Sequence, residues 1–223
     1  MSMIRVEIAD GAARIGLDDG KVNAMSAELL GEIGKALDQA EAARAIAVLR
    51  GRTGTFSAGF DLGTFKRGRE ATLAMLRAGA HTIERLLAFP CPVVTVCTGH
   101  AYPMGAFLML AADVRFGAAG EFRIGLNEVA IALTVPHFAL EIARHRLTPA
   151  GFARITTAPM FGPDEALRHG YLDYVVDPAQ LDAAVELELA RLKQLDRPAF
   201  TATKQRINAR ALEAVRAAIA SEL

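Results

Sequence analysis

The stretch "GHAYPMGAFLMLAADVRF", residues 99–116, decides the fold: a short polar turn opens directly into an unbroken apolar run, and a β-type segment follows. Pro103 has no N–H and a fixed φ, which suits the first turn of a helix, so the next amide, that of Met104, is left free to donate outward. Phe107, Leu108, Met109 and Leu110 have the character of core residues, and the spacing predicts a buried helix that returns to a strand at "VRFGA". Working outward, "CPVVTVCTG" before the turn and "AIAVLRG" further upstream read as short buried strands, and "YLDYVV" downstream as another. Strands alternating with helices predict an α/β domain with a mainly parallel sheet covered by helices.

The flanking segments fit this plan. "IRVEIADGAARIGL" alternates apolar and polar residues on either side of Asp10-Gly11, a pair that tolerates the positive φ angles of a hairpin turn. Ser26 is a natural N-cap for a helix carrying Leu29, Leu30, Ile33 and Leu37 at helical spacing and ending near Ala42. Leu76, Ala80, Ile83 and Leu87 mark the inner stripe of a second helix, which Pro90 ends. Residues 1–176 form the α/β core, and 177–223 a helical region of the same domain, interrupted at Asp196-Arg197-Pro198. Two such helices have too few neighbours of their own to bury both faces, and pack either on the core or on another subunit.

Composition narrows the classes of function. The chain has 223 residues, with 25 Lys and Arg against 25 Asp and Glu, so no excess of charge points to nucleic acid or an anionic membrane. No stretch reaches the roughly 18 apolar residues of a membrane span, and no basic segment leads into an apolar one near the N-terminus. Cys91 and Cys97 share one apolar run whose geometry does not suit a disulfide. These features together predict a soluble cytoplasmic protein.

Two further motifs carry chemistry. "TFSAGFDL", residues 55–62, follows a buried strand and precedes a helix; small residues at Ser57, Ala58 and Gly59 let a ligand approach the backbone, and amides entering a helix are free donors for negative charge. An isolated turn of this kind is more often merely structural. Paired with the Met104 amide it gains meaning, because two free amides converging on one point make an oxyanion hole. The third motif, "IGLNEVAIAL", residues 124–133, places one carboxylate, Glu128, among uncharged residues. A glutamate near a helix start ordinarily complements the helix dipole; the alternative is an acid–base whose apolar neighbours Val129, Ile131, Leu133 and Phe107 raise its pKa. Ser57 lacks a nucleophile elbow and a paired histidine, and "GRTGTFSAGF" lacks the Lys-Ser/Thr of a phosphate-binding loop. His81, His145 and His169 show no metal-ligand spacing; His100, His137 and Tyr102 lie closer to the motifs, with structural roles expected for the two histidines.

Taken together, "FSAGFDL", the pattern Gly99 to Met104-Gly105 to Asp113-Val114-Arg115, "IGLNEV" and "PDEALRHGYLDYVV" resemble the crotonase (enoyl-CoA hydratase/isomerase) superfamily over essentially the whole chain. The resemblance implies the crotonase fold, repeated ββα units with a helical C-terminal region that helps to build a homotrimer or a dimer of trimers. It implies an acyl-CoA thioester as substrate with no further cofactor and no metal. The amides of Phe60 and Met104 would hold the thioester oxygen, and Ala58, Gly59, Phe60, Asp61 and Leu62 would line the CoA thioester; Asn127 would either stand near its reactive end or cap the chain locally. Hydratases of the family carry glutamates at the positions of both Phe107 and Glu128. Here one is absent, and "IGLNE" is similar to the short Δ3,Δ2-enoyl-CoA isomerases, in which the equivalent of Glu128 is the base and an apolar residue stands at the position of Phe107 beside the acyl group. The expected activity is therefore shift of a double bond in an acyl-CoA; hydration, another thioester reaction, or catalytically silent acyl-CoA binding are the alternatives. Lys66, Arg67 and Lys204 are candidates for the CoA phosphates, and equally ordinary solvated charges.

Overall fold

A computed structural model describes residues 2–223. The hairpin forms as the alternation requires: β1 (Ile4–Ala9) pairs antiparallel with β2 (Ala12–Leu17) through Asp10 and Gly11, whose φ angles of 49° and 73° make the two-residue turn. α1 (Ala27–Ala42) starts at Ser26, whose hydroxyl accepts from the Leu29 N–H, and buries Leu29, Leu30, Ile33 and Leu37.

From β3 (Ile46–Arg50) onward the chain lays down strands in pairs. β3, β5 (Val93–Cys97), β7 (Val114–Ala118) and β10 (Tyr174–Val176) extend the hairpin into a six-stranded sheet ordered β1-β2-β3-β5-β7-β10, parallel from β2 onward. The strand that follows each of the first three, β4 (Gly54–Ser57), β6 (Gly99–Ala101) and β8 (Ile124–Gly125), turns off into a second sheet, which β9 (Met160–Phe161) completes. This second sheet was not anticipated. Its strands are two to four residues long, too short for side-chain alternation to be seen in sequence. Helices α2 (Leu62–Phe65), α3 (Arg69–Ala88) and α4 (Pro103–Ala111) follow the second strands, giving the ββα repeat; α5 (His137–Arg146), α6 (Pro149–Ala153) and α7 (Pro163–His169) precede β10. Every residue of α4 is buried, as its unbroken apolar run demands.

α8 (Leu181–Lys193) packs on β3 and β7, and α9 (Arg197–Glu222) runs along α3 and α5, so both C-terminal helices find a partner within the chain. Buried polar groups fix α9. Lys204 Nζ lies 2.7 Å from Asp113 Oδ2, which also accepts the Val93 N–H at 2.8 Å, and Asn208 donates to the Leu87 carbonyl at 2.8 Å. Lys204 is thus neither a solvated charge nor a free cation for phosphate. Its long stem lies on the apolar face of α9, and its ammonium is held at the junction of α9, β5 and β7. Cys91 and Cys97 are both buried free thiols. Among the described residues no helix is long and apolar enough to cross a membrane.

Removing one partner of a buried ion pair strands the other charge. Lys204→Met is expected to lower the unfolding free energy by about 3 kcal/mol in urea titrations, at the lower end for such pairs because Asp113 keeps the Val93 N–H. A change within about 0.5 kcal/mol would show the pair to be energetically idle.

Candidate active site

The first glycine turn is tied down from both sides. Ser57, fully buried, donates to the Asn23 carbonyl at 2.7 Å and accepts the Gly59 N–H at 3.0 Å, while the Ala58 N–H donates to the Val22 carbonyl. Gly59 takes a φ of 89°, accessible at little cost only to glycine. Met25 donates to the Gly59 carbonyl and accepts from the Asp61 N–H, a parallel bridge that leaves the intervening Phe60 N–H outside the ladder. The second turn is anchored to the first by the Tyr102 N–H, which donates to the Ser57 carbonyl at 2.9 Å. In α4 the first helical bond is that from Ala106 N–H to the Tyr102 carbonyl, so the Met104 amide is one of the unused donors at a helix start. The turns touch: a Cβ placed on Gly59 would lie 3.4 Å from the Pro103 ring.

Beside these turns is a cavity of about 310 Å3. Ala58, Gly59, Phe60, Leu62, Tyr102 and Pro103 form one side; Phe65 and Leu76 come from α2 and α3; Asn127, Glu128, Ile131, Leu133, Thr134 and Pro136 close the other. Apart from Glu128 no carboxylate lines it among the described residues. Glu128 is only 6% exposed, and neither carboxylate oxygen has a hydrogen-bond partner among the described residues. Burial pushes its pKa up to about 7, and its own backbone N–H, which falls short of hydrogen-bond geometry, offsets only part of this. Tyr171, almost wholly buried, has a phenol raised by burial and, to a smaller extent, by the charge of Glu128.

Of the residues singled out in the sequence, Ala58, Gly59, Phe60, Leu62, Asn127 and Glu128 meet at this cavity. Three do not contribute side chains to its wall. Asp61 turns away to cap α2, accepting from the Gly63 N–H at 3.0 Å and the Thr64 hydroxyl at 2.6 Å, bonds that hold its carboxyl below the usual range. Phe107 is fully buried and packs edge-on against Phe138, ring centroids 6.2 Å apart, so it stands behind the wall and does not line it. The Met104 side chain is likewise buried, with only its amide at the turn. Of the apolar neighbours expected for Glu128, Ile131 and Leu133 line the cavity and Val129 points to solvent, 49% exposed. His100 accepts the Arg123 N–H at 3.0 Å, and exposed His137 is held through its N–H by Glu222; neither reaches the cavity. Sequence reasoning did not foresee Phe65, Thr134 or Pro136 on the wall; Leu76 was visible only as part of a helical stripe. No cluster of metal-ligating side chains occurs among the described residues.

The ββα units thus bring two helix-entry turns and one buried carboxylate without a hydrogen-bond partner among the described residues to a single cavity. The chain belongs to the enoyl-CoA hydratase/isomerase family, whose profile matches residues 7–223. An enoyl-CoA hydratase/isomerase family protein from Pseudomonas syringae is 39% identical, with a TM-score of 0.97 over 99% of this chain and 96% of that one. A protein of Mycobacterium tuberculosis is 38% identical, TM-score 0.93, over 99% of each chain in a structure that names it an enoyl-CoA isomerase, and a second structure of the same protein names it a probable enoyl-CoA hydratase. A protein of Bacillus subtilis named probable enoyl-CoA hydratase is 29% identical over 143 residues, which make up 62% of this chain and 55% of that protein. This chain therefore spans about half the length of that curated relative.

Because the folded pKa of Glu128 lies above the ordinary value of 4.5, the carboxyl adds stability below pH 4.5 that is lost as the pH rises through about 7. Glu128→Gln, which removes the ionisation and keeps the shape, is expected to gain on the wild type across this window by about 3 kcal/mol, levelling off above pH 7. Unfolding free energies of the two proteins from pH 4.5 to 8.5 measure this; a difference independent of pH would mean that Glu128 is solvated.

Proposed function

We propose that the protein is an acyl-CoA double-bond isomerase, converting a 3-enoyl-CoA to the conjugated 2-enoyl-CoA. One observation carries this reading: a single carboxylate, buried and without hydrogen-bond partners, faces an apolar cavity beside two unused backbone donors. The Glu128 carboxylate takes a proton from C2, and the electron pair of that C–H bond delocalises through C1 onto the thioester oxygen and through the C3–C4 double bond. The Phe60 and Met104 amides hold the resulting dienolate oxygen. The protonated Glu128 then returns the same proton to C4, leaving the double bond between C2 and C3, so that no proton or electron is gained or lost. A pKa near 7 suits a group that serves first as base and then as acid. Ile131 and Leu133 supply apolar surface on the cavity wall, and Asn127 borders the thioester end.

Hydration of a 2-enoyl-CoA is the second reading, supported by the name of the Bacillus subtilis relative and by Asn127 and Thr134, polar groups on the wall able to hold a water. Against it, Phe107 stands where the family's hydratases carry another glutamate, and it is turned into the core. We further propose that the protein assembles as a homotrimer or a dimer of trimers, for which the apolar side chains of Leu187 and Ile207, exposed on α8 and α9, offer contact surface, and that it is cytoplasmic.

The test follows the ultraviolet absorbance of the conjugated thioester after addition of a 3-enoyl-CoA. The wild type is expected to generate it with kcat/KM rising through pH about 7, and Glu128→Gln to be slower by about 10²- to 10⁴-fold. A protein that leaves 3-enoyl-CoA unchanged but removes the absorbance of a 2-enoyl-CoA is a hydratase.

A further inference from the structure

α3 carries a glycine, Gly79, near its middle, where glycine weakens a helix relative to alanine. Its φ is not in the left-handed region, so no backbone requirement accounts for it. The space around it does. A Cβ on Gly79 would lie 2.8 Å from both Cε1 and Cζ of Phe60 and 3.1 Å from Sδ of Met104. The two glycines of α1, Gly31 and Gly34, meet nothing within 4 Å at the same test, whereas Gly79, like Gly105 of α4, stands at a close contact, here with the Phe60 ring. Gly79 is thus the floor of a notch in α3 that receives the ring of the residue whose amide faces the ligand.

The ring is bounded by α3 on one side, by the Met104 thioether on another, and by the cavity on a third. Leu76, one turn earlier on α3, shares the cavity wall with Phe60. Any side chain at position 79 displaces the ring tip, and the free volume open to it is the cavity. We propose that Gly79 is a specificity-determining residue: by recessing the Phe60 ring into α3 it clears the part of the cavity beside the Phe60 amide, and so sets how large an acyl group fits next to the thioester. This inference rests on the acyl-CoA reading of the cavity, but not on the reaction performed there.

Binding of saturated acyl-CoAs, from acetyl-CoA to longer chains, by calorimetry tests it without turnover. The proteins are wild type, Gly79→Ala, Phe60→Leu and the double variant. Gly79→Ala is expected to bind acetyl-CoA nearly as the wild type does and to lose about tenfold in affinity for the longer chains. Phe60→Leu, which shortens the displaced ring, is expected to restore that affinity in the Gly79→Ala background and to raise it in the wild type. Equal affinities across the series for Gly79→Ala, or a loss that Phe60→Leu does not restore, overturns the proposal, the latter marking Gly79 as a packing residue alone. Long-chain binding without double-bond shift by the wild type would overturn the isomerase reading and leave the role of Gly79 standing; a wild type that binds no acyl-CoA overturns both.

Discussion

The close approach of two backbones at Gly99 is the constraint from which the site follows. A Cβ at Gly99 would lie 1.9 Å from the carbonyl carbon of Gly54, so β4 and β6 adopt this spacing only because position 99 has no side chain. They pair in parallel, with a register shift between Thr55 and Ser57 that sets Ser57 against Ala101, so both end at the same edge, and the Tyr102 N–H donates to the Ser57 carbonyl. The chain leaving each strand must then turn into its helix at one place. Gly105 extends the same economy, since its Cβ would lie 2.7 Å from that of Ser57, which lets α4 settle on β4. Two helix-entry turns are held in contact as a consequence of strand packing.

At Glu128, on the wall of the same cavity, the chain accepts an unfavourable arrangement. Burying an ionisable group without partners costs free energy, and the cost is largest for the charged form, which is why Glu128 holds its proton more tightly than an exposed glutamate. Other buried ionic and polar groups are answered, Arg115 by Asp173, Lys204 by Asp113, and Asn208 by both His145 and Leu87, while among the described residues Thr95 Oγ1 and one guanidinium nitrogen of Arg197 are also buried without a partner. Among these unpartnered groups Glu128 is the one carboxylate, and it is the one that lines the cavity, which makes it the candidate for acid–base chemistry.

The larger sheet was legible because its strands show what sequence can show: alternation about Asp10-Gly11 in the hairpin and compact apolar runs at "AIAVL" and "PVVTVC". α1 was legible to both ends because Ser26 and the Leu29–Leu37 stripe act within a few residues of one another. The smaller sheet was not, since strands of two to four residues acquire meaning only from partners far along the chain. The same holds for side chains. Glu128, Phe60 and Asn127 could be picked out because their motifs are local, whereas the cavity walls at Phe65, Thr134 and Pro136 depend on how distant segments meet. Lys204 and Asp61 carry charges that sequence alone leaves free, and the fold spends one on Asp113 and the other on the start of α2. Phe107 was read beside the acyl group because its position in a motif says nothing of which way a buried helix turns it.

The account turns on the proton of Glu128, and that proton can be observed directly. Infrared difference spectra between wild type and Glu128→Gln, recorded across pH, resolve the carbonyl band of a protonated carboxyl from the bands of a carboxylate. A protonated band that fades with a midpoint near pH 7 is the expected result. A midpoint near the ordinary value of 4.5 would mean a hydrated, unperturbed carboxylate, and would contradict the reading of this cavity as a dry site for proton transfer.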